Sequence, residues 1–221
     1  MVTFFAGADR PRALPYIDND MLLKLVTVAA VSALAWLPQT LSLDPTVWTI
    51  DGNHSGASFS VRHLVVSTVR GKMGPVSGKV WYDGTDVTSI RAEAAIDVAK
   101  INTGLDSRDS DLRGADFFAV NRYPRMTFKS KRAVRGAAPG KFHLIGYLTI
   151  RDVTREVTLE IDGPSEILKL PREWRVVATA TTTINRFDYG LKWNQLVETG
   201  GAVVGPDVNI TIDLEVTRLP A

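Results

Sequence analysis

Residues Val208–Val216 read VNITIDLEV, five apolar side chains separated one by one by Asn209, Thr211, Asp213 and Glu215. Strict alternation sends the two classes to opposite faces of an extended chain, so the stretch is a strand with one buried and one wet face. The same period recurs upstream, along Ala57-Phe59-Val61, Val76-Gly78-Val80-Tyr82, Ile90-Ala92-Ala94-Ile96-Val98, Met126-Phe128, Leu144-Gly146-Leu148-Ile150, Val157-Leu159-Ile161 and Trp174-Val176-Ala178-Ala180. Turn-forming runs separate most of these: DGTD at Asp83–Asp86, RGAAPG at Arg135–Gly140, GPSE at Gly163–Glu166 and GGAVVGPD at Gly200–Asp207. Short links join antiparallel neighbours, and eight such strands avoid exposed edges most simply by closing on themselves. The expected fold class is therefore all-β, an eight-stranded antiparallel up-and-down barrel.

One segment departs from period two. In GLDSRDSDLRGADFFAVNRY, Leu105, Leu112 and Phe117 fall near helical spacing, Asp109 and Arg113 stand four apart, and Asp106 is a candidate N-cap. The spacing predicts a short helix over Ser107–Phe117, inserted between the third and fourth strands and lying across a barrel end.

At 221 residues, 45% hydrophobic and 23% charged, the chain suits one ordinary globular domain. A net charge of +2 without any long Lys or Arg run speaks against nucleic acid as a partner. The absence of cysteine removes disulfides, thiolate ligands and a Cys nucleophile. The N-terminus reads as an address. From Met21, one Lys is followed by the mostly apolar run Leu25–Leu37 and then by small and polar residues, the layout of a secretory signal over 21–42. The run is short for a spanning helix, which needs ~20 residues, although an uncleaved membrane anchor is the alternative. Cleavage after Ser42 is preferred to cleavage after Ala35. Residues 1–20 read as a non-structural extension, with translation starting at Met21, and the domain proper covers 43–221.

An eight-stranded barrel is wide enough either to be filled by side chains or to hold one slim ligand. Small residues recur at the inward positions Ala57, Gly78, Ala92, Ala94, Gly146, Ala178 and Ala180. They favour a long apolar void, the alternative being a flattened barrel whose walls touch at these positions.

The polar stretch DGNHSG at Asp51–Gly56 does not read as a reaction centre. A nucleophile elbow wants Gly-x-Ser-x-Gly on a strand-to-helix turn, whereas Ser55 comes one place late and leads into a strand. Asp51, His54 and Ser55 instead suit bonds to turn amides. By strand parity His54, His63 and His143 fall on three different surfaces, so no metal site is expected. His63 shares parity with Phe59 and Val61 and lies inward near a strand end, where a scaffold role is preferred to ligand contact. Arg62 and Arg113 are the head-group candidates, because a guanidinium offers a planar fork of donors. A purely structural role for them is preferred. Phe187, Tyr189 and Trp193 cluster too closely for a strand and form either a lid or a barrel-end plug.

The blocks WTIDGNHSGASFSVRHLVVSTVRGKMGPVSG, INTGLDSRDSDLRGADFFAVNRYPRMTFKS, GYLTIRDVTREVTL, TTTINRFDYGLKWN and ETGGAVVGPDVNITIDLEVTR, in this order from Trp48 to Arg218, resemble the YceI-like family. Ala119 and Met73 depart from its pattern. The resemblance implies a lipocalin-like barrel that binds polyisoprenoid or other long-chain amphipathic lipid in an apolar tunnel. With that lipid as ligand and no cofactor, the expected lining is Phe59, Val61, His63, Ala92, Ala94, Ile96, Phe128, Gly146, Leu148, Ala178, Ala180, Ile210 and Ile212. The expected function is that of an exported, non-catalytic lipid-binding protein, secreted or periplasmic, with transient membrane contact and with pairing of two copies through an outer face near Trp81. The competing reading is an enzyme acting on a lipid head group at the barrel mouth, with His63 and a nearby carboxylate as acid and base.

Overall fold

The computed structural model describes residues 46–64, 66–194 and 203–220. They all belong to the compact unit Leu43–Ala221. The segments expected as an extension over 1–20 and a leader over 21–42 lie outside the described residues.

The chain runs β1 (Val47–Ile50), β2 (Gly56–His63), β3 (Ser67–Met73), β4 (Val76–Trp81), β5 (Arg91–Asp97), α1 (Asp106–Arg113), β6 (Arg125–Arg135), β7 (Lys141–Ile150), β8 (Val153–Asp162), β9 (Leu168–Lys169), β10 (Trp174–Asn185) and β11 (Val204–Arg218). Following hydrogen-bonded neighbours from β11 through β1, β4, β5, β6, β7, β8 and β10 returns to β11, so eight antiparallel strands close a barrel. The stretch VNITIDLEV lies at the centre of this closure. At 15 residues β11 is long enough to pair with β10 along one edge and with two strands in series along the other, β2 over Val204–Asp213 and β1 at Val216 and Thr217. β3 extends the wall beyond β2.

Neither β1 nor β3 belongs to the strands that period two marks out. β1 has only two inward residues, Trp48 and Ile50. Trp48 is nevertheless completely buried, and its indole N–H donates to the Tyr82 carbonyl at 3.1 Å. Loss of such a side chain costs ~3–5 kcal/mol. β3 escapes because its inward position 71 is a glycine, where a Cβ would lie 2.4 Å from the Phe59 ring. Only absence of a side chain lets that ring lie flat on the strand.

The helical insert sits at the expected point in the chain and is shorter than its expected span. α1 ends at Arg113, Leu105 occupies its N-cap without a side-chain bond, and Asp106 lies inside the helix. Asp109 does not pair with Arg113. Its buried carboxylate accepts from the Thr103 backbone N–H at 2.8 Å and hydroxyl at 2.6 Å, while Arg113 donates to the Ile101 carbonyl at 3.3 Å. The Thr103 bonds hold the Asp109 carboxyl below the usual carboxylate range, against the opposing effect of burial. A tertiary contact to the strand-end loop thus takes the place of the i,i+4 pair.

Candidate functional site

Two largely apolar chambers lie inside the barrel, with Thr127 and Thr182 among the walls of one and Arg186 among those of the other. The inner one, about 60 Å³, is walled by Ala92, Ala94, Ile96, Phe128, Leu148, Ala180, Ile210 and Ile212 together with residues of β1, β4 and β8. The second, about 80 Å³, is walled by Phe59, Val61, Met73, Leu112, Phe117 and Phe118, and shares Met126 and Ile210 with the first. Phe59, Val61, Leu112, Phe117 and Val204 also border an open cleft of about 660 Å³ between the β2–β3 hairpin, α1 and Trp193. Inner chamber, second chamber and cleft therefore form one series from the barrel centre to the surface. The expected long void is not what the structure has. Side chains fill most of the interior, with Met126 and Ile210 standing between two small spaces.

Two of the expected lining positions fall outside this series, for steric reasons. A Cβ on Gly146 would lie 2.5 Å from the Lys129 carbonyl oxygen and 2.6 Å from the Phe128 ring, so this glycine seats an aromatic side chain rather than enlarging a void. Gly78 is similar, since a Cβ there would lie 2.1 Å from the Glu93 carbonyl oxygen. Ala178 packs under the backbone of Gly163, where an added Cβ would come within 2.9 Å of its methyl group. Met73, one of the two departures from the family pattern, does border the second chamber.

His63 ends β2 on the rim of the cleft, alongside Val69 and Leu105. Among the described residues no carboxylate is hydrogen-bonded to its ring. Of the head-group candidates, Arg62 is exposed on the outer face of β2 and donates to the Thr68 hydroxyl at 3.2 Å, and Arg113 is engaged by Ile101. Neither borders the cleft. Arg108 does, while it also donates to the Thr103 hydroxyl at 2.7 Å and carbonyl at 3.0 Å. The aromatic cluster divides between the two suggested roles. Tyr189 is buried in the core as a plug, and Trp193 packs against Phe117 at the cleft with ring centroids 5.4 Å apart and planes tilted by 44°.

The feature that sequence reasoning missed is Arg186, only 3% exposed. Its Nε donates to Gly205 O at 2.9 Å, one terminal nitrogen to Leu191 O and Trp193 O at 2.6 and 2.7 Å, and the other to Val204 O at 3.0 Å. No carboxylate faces it among the described residues, and burial lowers its pKa from the ordinary arginine value. One guanidinium thus ties the end of β10 to the start of β11 beside the second chamber. The signal for it is parity, since Arg186 continues the inward series Val176, Ala178, Ala180, Thr182 and Ile184.

At the other end of β2, His54 Nδ1 and Asp51 Oδ2 lie 2.7 Å apart. This contact raises the His54 pKa and lowers that of Asp51. Glu215 joins them, and one donor atom from each of the three lies within 4.8 Å of the others, a grouping invisible to an argument confined to histidines. Arg175 pairs with Glu215 and stands 3.9 Å from Asp51, so a guanidinium already supplies the positive charge that this cluster attracts. The sequence also gave no hint of an outer groove of about 700 Å³ between β8 and β10, whose ladder has only three residue pairs. Thr181, Thr183, Asn209 and Thr211 line that groove with polar groups, and Tyr189 borders it. Burial pushes the Tyr189 phenol up to about 12, and its hydroxyl has no hydrogen-bond partner among the described residues.

Fold and site together define a closed antiparallel barrel with an apolar interior and one partly covered mouth. The YceI-like domain model matches residues 48–216, and the chain belongs to that family. UPF0312 proteins of Staphylococcus aureus strains bovine RF122 / ET3-1 and N315 are each 34% identical to it over 172 residues, 77% of this chain and 96% of the relative. Among solved structures, BcnA of Burkholderia cenocepacia is similar with a TM-score of 0.62 and 21% identity, over 75% of this chain and 98% of that one. A polyisoprenoid binding domain from Saccharophagus degradans gives a TM-score of 0.56 and 18% identity, over 78% and 98%. At these identities the structural likeness concerns the fold.

Proposed function

We propose that this chain is an exported, non-catalytic binding protein that holds a polyisoprenoid or other long-chain amphipathic lipid. The tail occupies the two apolar chambers and the polar head lies in the cleft between the β2–β3 hairpin and α1. The observation that carries this reading is the sequence of spaces itself: apolar at the centre, apolar in the second chamber except for the Arg186 side chain, whose donors are taken by backbone carbonyls, and bordered by His63, Arg108, Asp111 and Asp116 at the surface. Burial of an acyl or prenyl chain there removes apolar area from water, worth about 25 cal/mol per Å². Because chambers of about 60 and 80 Å³ hold only a few methylene groups, a long chain enters only as side chains such as Met126, with its flexible thioether, swing aside to join and widen the two. Membership of the YceI-like family, together with a structural neighbour described as a polyisoprenoid binding domain, supports the ligand class.

The signal-like layout of residues 21–42 supports export, and pairing of two copies through the face carrying Trp81, which is half-buried at the end of β4, is part of the same proposal. Organic extraction of the purified protein followed by mass spectrometry tests the function, with one long-chain lipid per barrel as the expected result. A folded protein that yields none, and takes up neither a prenyl nor a fatty-acid probe, overturns it.

A further inference from the structure

We propose that the β2–β3 hairpin is the edge through which the barrel docks on an anionic lipid bilayer, an inference that rests on the lipid-carrier reading above. A ligand with negligible solubility in water has to be exchanged at a membrane, and the surface that touches the membrane should adjoin the opening. The hairpin does so, for His63 and Val69 form one wall of the cleft. At its tip Leu64 is 43% and Val66 81% exposed, and across the cleft opening Leu105 is 50% exposed. Solvent-facing aliphatic side chains on a projecting turn gain little from the fold and gain area on entering the bilayer interface.

Charge selects the kind of bilayer. From Gly56 to Met73 the chain carries Arg62, Arg70 and Lys72 and neither Asp nor Glu. The register pairs Arg62 with Thr68, Arg70 with Ser60 and Lys72 with Ser58, so all three cations project from the outer face of the hairpin. Among the described residues none of them meets a carboxylate, and Arg62 donates only to the Thr68 hydroxyl. The acidic side chains of the cleft, Asp111 and Asp116, belong to its opposite side, where Arg108 is engaged by Thr103, so the acids do not interrupt the basic face of the hairpin. Cations beside a wedge of apolar side chains match an anionic headgroup layer over an acyl boundary, the pairing used by peripheral membrane surfaces.

Sedimentation of the full chain with vesicles of phosphatidylcholine, with and without phosphatidylglycerol, tests the proposal. The expected result is binding that requires phosphatidylglycerol and weakens as salt shortens the Debye length. Removing a cation near such a surface costs about fivefold in partition, so Arg62→Glu with Arg70→Glu should weaken binding by about 25-fold or more. Val66→Asp should also weaken it, and Leu168→Asp, at an exposed position on β9, should not. Thermal melts establish that each variant is folded, and extraction reports the internal lipid separately. Wild-type vesicle binding by the folded double variant overturns the docking edge, even where lipid is found inside the barrel. So does equal binding to vesicles with and without phosphatidylglycerol, or no binding at all, as expected if the hairpin instead meets a second copy or an acidic protein. Hairpin-dependent vesicle binding by a protein that yields no lipid would sink the carrier reading and leave the docking edge standing.

Discussion

Ala94→Trp probes the inner chamber most directly. Ala94 lies beside Phe128 across the β5–β6 ladder and beside Gly78 across the β4–β5 ladder, with its methyl group bordering a space of about 60 Å³. An indole is larger than that space, so Phe128, Leu148 or Ile212 has to leave its position. Overpacking of this kind costs ~1–3 kcal/mol. In a domain of this size that corresponds to a fall in Tm of roughly 2–12 °C. The substituted ring also occupies the place assigned to the end of the lipid tail, so the extracted lipid should fall with it. Ala94→Val adds two methyl groups, which the chamber accommodates, and should leave Tm unchanged. Glu93→Gln, one residue along on the outer face and paired only with exposed Lys129, should change neither quantity. Differential scanning calorimetry with lipid extraction on the same samples makes the comparison. An Ala94→Trp protein that melts with the wild type and carries a full complement of lipid would refute both the chamber and its proposed occupant.

Gly146→Ala should destabilise by ~1–3 kcal/mol in urea unfolding, because its Cβ has no space between Lys129 O and the Phe128 ring. A neutral result would return Gly146 to the set of cavity-lining positions. Arg186→Leu should cost at least about 3 kcal/mol in the same assay, since it strips donors from four carbonyls in a dry site. For His54, the raised folded-state pKa means that its contribution is complete below the unfolded value near 6.5 and disappears as pH rises through the folded value. Asp51, with its depressed pKa, contributes above the ordinary carboxylate range and loses that contribution as pH falls through its folded value. His54→Gln should therefore flatten the profile of Tm against pH on the alkaline side, and an unchanged profile would remove the pair from the account. N-terminal sequencing of exported material should begin near Leu43, and residues before Met21 on the mature chain would overturn the proposed start and leader.

The sequence alone determined that the chain is a closed antiparallel barrel, because the side-chain period of a strand is a local property that survives in VNITIDLEV and in most of the long strands, β6 losing it at the bulge between Ser130 and Arg132. It also placed the helical insert and the inward faces, including Ala92, Ala94 and Ala180. Tertiary structure decided how much space those faces enclose. A small residue on an inward face has two opposite causes, room for a ligand or the close approach of another group, and periodicity cannot tell them apart. Ala94 borders a chamber, whereas Gly146 and Gly71 lie beneath Phe128 and Phe59, rings contributed by neighbouring strands. Short elements escaped for a related reason: β1 offers too few residues for a period to register, although Trp48 anchors the core. Arg186 lay on the inward parity in plain view, yet its role needed four carbonyls from residues 191–205, far enough along the chain that only folding brings them to one guanidinium.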